Sequence, residues 1–127
     1  MTDGWAPDRR RADRRIVTYV CQARIEGEAE PMRVGDLSAG GMVLESPRPL
    51  IAGAELAFVL ETEVETIGPL RGHVAHSRLV FAARAGDRHS CIAGVAFERV
   101  TADQSAAIAR VLAEIDERRR NRSQDKP

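Results

Sequence analysis

Two short stretches of the sequence concentrate residue types that could bind a compact anionic ligand. The first, DRRRADRR at residues 8–15, holds five arginines in eight positions. Arginine presents a planar fork of donors that pairs with phosphate and also binds the O6 and N7 acceptors of guanine. The stretch therefore favours a ligand that carries both groups. A basic tail without a ligand, and general contact with nucleic-acid phosphates, are the alternatives.

The second stretch is DLSAGG, residues 36–41, which combines an acidic side chain with paired glycines. A carboxylate at Asp36 could accept hydrogen bonds from the N1–H and amino group of a guanine, and Ser38 adds a short polar partner. Gly40 and Gly41 have no side chain, so a flat ring could approach the backbone there. A purely structural interpretation is an Asx-type turn between two strands in which glycine supplies a positive φ.

Other clusters of reactive residue types do not indicate catalysis or a metal site. His73 and His76 form an HxxH pair, but they lie in a predicted strand, where residues three apart point to opposite faces. Cys21 and Cys91 lack CxxC spacing and are expected to pack within strands. Because there is no Gly-x-Ser-x-Gly elbow and no candidate catalytic base, the sequence predicts no enzyme, no metal and no cofactor.

Strand patterns fill most of the chain ahead of its last quarter. They alternate apolar and polar residues or are rich in β-branched residues, and Gly- or Pro-containing turns separate them. The predicted strands are VTYVCQARIEG, MRVGDL, MVLES, ELAFVLE, one long strand or bent pair between Ile67 and Ala85, and CIAGVAFERV.

The apolar period then switches to that of a helix, which Thr101 and Gln104 open as a capping box. The apolar positions, spaced i, i+3, i+4 and i+7, are Ile108, Val111, Leu112 and Ile115. About six strands followed by one amphipathic helix predict a mainly β fold. We expect a six-stranded antiparallel β-barrel with a C-terminal α-helix and a flexible N-terminal arm.

Length and composition set the domain organisation. The 127 residues, of which 43% are hydrophobic, predict one domain. We expect a flexible basic arm over residues 1–15, the barrel and its helix over 16–118, and a disordered tail over 119–127. The net charge of zero provides no global attraction to nucleic acid or membrane. The start MTDGWAPDRR has no apolar core and no run is long enough to span a bilayer, so we expect a cytoplasmic protein with reduced thiols.

Together, the two stretches resemble the motifs of the PilZ domain family. RRADR, at Arg10–Arg14, precedes the first strand and matches the family's RxxxR motif. Asp36, Ser38 and Gly41 match its D/N-x-S-x-x-G motif, in the same order along the chain. GVAFERVTADQSAAIARVL is similar to the family's closing strand, GVxF, and the helix after it. The resemblance covers roughly residues 9–117.

The resemblance implies a non-enzymatic receptor for the bacterial second messenger cyclic di-GMP. The ligand would order the arm over the barrel and so relay the signal to a protein partner, in contexts such as motility, exopolysaccharide and biofilm control. The expected ligand-binding residues are Arg9, Arg10, Arg11, Arg14, Arg15, Asp36, Ser38, Gly40 and Gly41. Binding to DNA or RNA and insertion into a membrane are not expected.

Three points stay open within this resemblance. The RxxxR register can be Arg10–Arg14, which we prefer because RRADR resembles the common family form, or Arg11–Arg15. In either register another arginine, Arg9 or Arg10, precedes the motif; in the family such a residue goes with binding an intercalated pair of ligand molecules, so both one and two ligands per chain stay open. The alternative function is a PilZ-fold adaptor that binds a protein and no nucleotide.

Overall fold

The computed structural model describes residues 15–16, 21–80 and 90–125, with side chains over 21–80 and 90–121. This part of the chain forms seven β-strands and one long C-terminal helix. The strands are β1 (Arg15–Ile16), β2 (Cys21–Ile25), β3 (Met32–Leu37), β4 (Gly41–Ser46), β5 (Glu55–Thr62), β6 (Thr66–Val80) and β7 (Ser90–Glu98), and the helix α1 is Ala102–Asp125.

Six of the strands close into an antiparallel barrel built from two three-stranded meanders. β2, β3 and β4 pair consecutively, and so do β5, β6 and β7. The meanders meet along two seams, β2 with β5 and β4 with β7, and every pairing among the described strands is antiparallel. The predicted six-stranded antiparallel barrel with a C-terminal helix is therefore confirmed. The two-residue β1 pairs with β3 on the same edge as β2.

The barrel interior is filled by aliphatic side chains, because the strands alternate inward apolar and outward polar residues. Leu44, Leu60 and Leu70 are almost fully buried. The predicted apolar face of α1 joins the same core through Ile108 and Ile115. Burying each such side chain stabilises the fold by about 1.5–3 kcal/mol. Barrel and helix therefore share one hydrophobic core.

The N-terminus of α1 is fixed by the predicted capping box. The Thr101 backbone N–H donates to Gln104 Oε1 and the Gln104 backbone N–H donates to Thr101 Oγ1, each over 3.1 Å. The Gln104 side-chain amide also donates to the Pro69 carbonyl over 2.7 Å. Gln104 thus completes the hydrogen bonding of the first turn of α1 and also anchors this end of the helix to β6.

Three ion pairs on α1 complete its attachment. Arg110 binds both carboxylate oxygens of Glu65, in the turn before β6, and this hydrogen bonding lowers the pKa of Glu65. Arg118 binds Glu63 in the same turn and also Glu114 one helical turn back, the latter over 2.9 Å. The i,i+4 pair of Glu114 and Arg118 was expected from the sequence. All these groups are partly exposed, so each ion pair on its own adds little to the free energy of unfolding.

The helix is longer than the sequence indicated. It continues to Asp125, past residue 118, where the folded domain was expected to give way to a disordered tail. Beyond Ile115, none of the described side chains on α1 is buried. Strong helix formers such as arginine and the Glu114–Arg118 pair favour this extension. In the described part of the chain, no helix has the combined length and hydropathy needed to cross a membrane.

Candidate ligand-binding site

The DLSAGG stretch forms the end of β3, a three-residue loop (Ser38, Ala39 and Gly40) and the start of β4. The Ser38 backbone N–H donates to the Gly41 carbonyl over 2.9 Å, and the Ser38 hydroxyl donates to the same oxygen over 3.2 Å. The Phe97 backbone N–H donates to the Gly40 carbonyl over 2.9 Å. The loop is therefore closed by its own serine and tied to the end of β7.

Gly41 serves a close approach, and the alternative interpretation of these glycines as a turn with a positive φ is wrong. Among the described glycines, positive φ occurs at Gly27 and Gly53. A Cβ at Gly41 would lie 2.4 Å from the Val95 carbonyl oxygen, so β4 can pair with β7 at this distance only without a side chain. A Cβ at Gly40 would meet nothing within 4 Å. The two glycines therefore differ in what they contribute.

A β-bulge places Asp36 on the outer face of the barrel. The register of β3 against β4 shifts between Val34 and Asp36, so Gly35 is an extra residue in β3. Val34 and Leu37 both belong to the core, although they are three residues apart. Strict alternation would have turned Asp36 inward with Val34, and the bulge prevents this.

A second bulge lies in β6, where the register against β7 shifts between Val74 and His76. His73 lies opposite Ala96 and His76 lies opposite Gly94, two residues apart on β7. Cross-strand partners share a face, so both histidines point outward. The prediction that HxxH spacing separates them onto opposite faces is therefore wrong, because the bulge adds one residue between them.

The two histidines nevertheless have different surroundings. His73 Nδ1 lies 2.6 Å from Glu98 Oε2, which engages that ring nitrogen. The His76 imidazole lies against Gly94, since a Cβ built there would be 2.5 Å from His76 Nε2. Within the described segments, no three His, Cys, Asp or Glu side chains are arranged to hold a metal ion.

The two bulges align one row of residues across four strands. Asp36 on β3 pairs with Val43 on β4, Val43 pairs with Gly94 on β7, and Gly94 pairs with His76 on β6. Val43 is outside the core cluster although it is only 8% exposed, which agrees with its outward position. The row therefore has an acidic side chain at one end and an imidazole at the other, with a narrow apolar surface between them.

An open groove of about 310 Å³ runs beside this row and crosses the β4–β7 seam. Its lining includes Ser38, Gly40 and Gly41 from the hairpin, Ala75 and His76 from β6, and Gly94 from β7. Most of these residues are small, so the groove exposes backbone and shallow apolar surface. Such a surface can accept a flat ring, with polar groups at its edges.

The chain segment that carries the arginines reaches β3 beside this hairpin. Arg15 pairs in register with Leu37, and Ile16 pairs with Asp36. The helix α1 also contacts β1. Arg9, Arg10, Arg11 and Arg14 lie outside the described residues. The structure thus brings Asp36, Ser38, Gly40 and Gly41 together on one hairpin and places the backbone of Arg15 next to it.

Sequence reasoning missed His76 and Gly94 as members of this surface. The bulge in β6 hides the outward position of His76, because strict alternation assigns every residue after the bulge to the wrong face. Gly35 was the available signal in β3, since an isolated glycine within a strand pattern suggests a bulge. In β6 the extra residue is Ala75, and its type gives no comparable signal.

A comparison with protein-family models matches residues 8–114 to the PilZ domain. A comparison with curated proteins finds no match. Among solved structures, the PilZ domain of YcgR from Escherichia coli, with c-di-GMP, is 17% identical with a TM-score of 0.67. The alignment covers 89% of this chain and 95% of that one.

MrkH is also similar. Its c-di-GMP complex from K. pneumoniae is 16% identical with a TM-score of 0.68, and the alignment covers 84% of this chain and 51% of that one. A structure that describes MrkH as a c-di-GMP-dependent transcription regulatory factor is 21% identical with a TM-score of 0.63, over 80% of this chain and 48% of that one. This chain thus spans about half the length of MrkH. At these identities the likeness shows a shared barrel fold.

Proposed function

Since this chain belongs to the PilZ domain family, we propose that it is a receptor for cyclic di-GMP. The ligand is held between the arginines of residues 9–15 and the DLSAGG hairpin. The observation that carries the proposal is the register of β1, which sets Arg15 opposite Leu37 and Ile16 opposite Asp36. The arginine-rich stretch therefore ends next to the acidic end of the hairpin.

The hairpin offers groups that match one edge and one face of guanine. The outward carboxylate of Asp36 can accept from N1–H and the exocyclic amino group, and charge-assisted hydrogen bonds of this kind are strong. Ser38 adds a hydroxyl at the same end. The exposed Gly40 and the half-buried Gly41 leave room for the ring to lie against the backbone. These features support guanine binding at the hairpin.

The arginines supply the complementary half of the proposed site. Arg10 and Arg14 are the preferred motif pair, with Arg9, Arg11 and Arg15 as further contacts to phosphate and guanine. A ligand with two phosphates neutralises the repulsion among these side chains, and its charge-assisted bonds offset the entropy lost on ordering. Binding would thus order the arm. Because α1 contacts β1, the ordered arm and the helix together would offer a surface to a protein partner.

The proposed activity is recognition and relay, without catalysis and without a cofactor. We place it in the cytoplasm, in agreement with two buried cysteines that are both free thiols. DNA and RNA are not proposed as ligands. Identification of the protein partner would show whether the receptor acts in motility, exopolysaccharide production or biofilm control.

Calorimetric titration of the full chain tests the function directly. We expect saturable binding of cyclic di-GMP and none of GTP or cyclic GMP at the same concentrations. Arg10→Ala, Arg14→Ala and Asp36→Ala should each weaken binding by about 1.5–3 kcal/mol, because each removes a hydrogen bond to a charged group. Arg11→Ala and Arg15→Ala, measured in parallel, identify which arginine register is used.

Arg119→Ala is the matched control, since this arginine is exposed on α1 far along the chain from the arm. It should bind as the unaltered protein does. Absence of cyclic di-GMP binding would overturn the proposal in favour of an adaptor that binds no nucleotide. Equal binding of linear RNA, with steep salt dependence, would overturn it in favour of a general polyanion-binding arm.

A further inference from the structure

We propose that His76 is a further ligand-contacting residue, whose imidazole stacks on a guanine base in the groove at the β4–β7 seam. The inference rests on the proposed function, because it assigns a role to a side chain of the same site. It concerns a residue on β6, in the second meander, outside both sequence motifs.

The position of His76 follows from the two bulges. The bulge at Gly35 turns Asp36 outward, and the bulge at Ala75 does the same for His76. The row of cross-strand partners then connects the two side chains through Val43 and Gly94. β-bulges recur next to functional sites, where they redirect single side chains. Here two bulges bring side chains from different meanders onto one row.

The immediate surroundings of the ring suit stacking. One part of the imidazole rests on Gly94, where a Cβ would come within 2.5 Å of Nε2 and 2.6 Å of Cε1. The side chain is half-buried, so another part of it remains accessible from the groove. Its neighbours Ala75 and Ala96 are small and also line the groove. A planar ring can therefore lie beside the imidazole without displacing a bulky side chain.

The groove is open on the side of the hairpin as well. Ser38, Gly40 and Gly41 line it from β3–β4, opposite the β6 side that carries His76. A base seated there has hydrogen-bonding groups on one side and a flat ring on the other. Nucleobases are commonly recognised in this way, by aromatic rings or imidazoles that stack on the face and polar groups that bind the edge.

The test compares three variants of the full chain by calorimetry with cyclic di-GMP. His76→Ala should weaken binding roughly fivefold to a hundredfold, the range found when a stacking side chain is removed. His76→Phe keeps a flat ring without ring nitrogens and should stay within about threefold of the unaltered protein. His73→Ala is the matched control, because it removes an outward histidine of the same strand that lies outside the groove and pairs with Glu98.

Nuclear magnetic resonance gives a direct readout of stacking. On addition of cyclic di-GMP, the imidazole carbon-bound protons of His76 should shift upfield through the ring current of the base, while those of His73 should not. Thermal melting of each variant checks that the fold is retained.

Unchanged affinity in His76→Ala, or equal loss in His76→Phe and His76→Ala, would overturn the stacking role. In either case, normal binding by the unaltered protein would leave the receptor function standing. If the unaltered protein binds no cyclic di-GMP, the receptor function and this inference fail together.

Discussion

Gly41 and Gly40 are adjacent residues of one type with opposite packing. A methyl group at Gly41 would collide with the Val95 carbonyl at 2.4 Å, whereas one at Gly40 would meet nothing within 4 Å. Neither residue has a positive φ, so backbone conformation does not separate them. Only Gly41 is needed for the contact between β4 and β7.

Gly41→Ala should therefore lower the free energy of unfolding by about 1–3 kcal/mol, the usual effect of overpacking. Gly40→Ala should leave it unchanged or raise it slightly, because alanine restricts the unfolded chain. Urea denaturation of both variants measures the difference. Equal stability of the two would show that the seam can relax at no cost.

For single residues, the sequence predicted which residues form the site better than it predicted why each residue is there. Asp36, Ser38 and the glycines lie together on one hairpin, as expected, but the alternative interpretation of the glycine pair as a turn with a positive φ is wrong. Close approach to Val95 could not be read from the chain, because that residue is far along the sequence. His76 was not predicted as a site residue for a similar reason: it faces outward only because of a one-residue bulge, which depends on pairing with another strand.

The helix α1 is the element that the sequence specified most completely. Its apolar spacing identified the buried face, and Thr101 with Gln104 identified its start, because both signals are local. Its end was missed, since no glycine or proline stops the helix before Asp125.

Thr101→Ala should destabilise the protein by about 1 kcal/mol, because the Gln104 backbone N–H loses its capping hydroxyl. Ser105→Ala is a suitable comparison, as this exposed serine lies in the first turn of the same helix. Alanine there should be neutral or slightly favourable through its helix propensity. Thermal melting followed by circular dichroism at the helix band measures both, and similar losses in the two variants would contradict a specific capping role.

The sequence predicted which residues form strands, but it did not predict which strands pair with each other. Hairpin neighbours such as β3 and β4 follow from a short turn between them. The seams β2–β5 and β4–β7 join distant residues, and several pairings of six strands satisfy the same alternation. The register shifts within β3, β5 and β6 are likewise set by the closed barrel.

Closure of the barrel has a consequence for the stability of the whole molecule. Cys21 is only 4% exposed, and burial raises the pKa of its thiol from the ordinary 9.0 to about 11. The unfolded chain releases this proton above about pH 9, whereas the folded chain retains it up to about pH 11. The free energy of unfolding should therefore fall as the pH rises through this window.

The expected contribution of Cys21 is on the order of 2 kcal/mol, as each pKa unit corresponds to about 1.4 kcal/mol. Urea denaturation at pH 8, 9, 10 and 11 measures it. In Cys21→Ala, the fall in the free energy of unfolding between pH 8 and pH 11 should be smaller by that amount. The variant should also be less stable at pH 8, because packing is lost. Parallel pH profiles in the two proteins would show that this thiol does not control the alkaline decline.

The candidate groove is divided between the two meanders and exists only where they meet at the β4–β7 seam. A fragment ending after β4 would carry the hairpin alone, and a fragment beginning at β5 would carry the opposite wall alone. Neither half presents the complete surface, so a molecule that binds there holds the halves together and selects the assembled protein. Mass action then makes the concentration of that small molecule a determinant of the fraction of molecules that are folded.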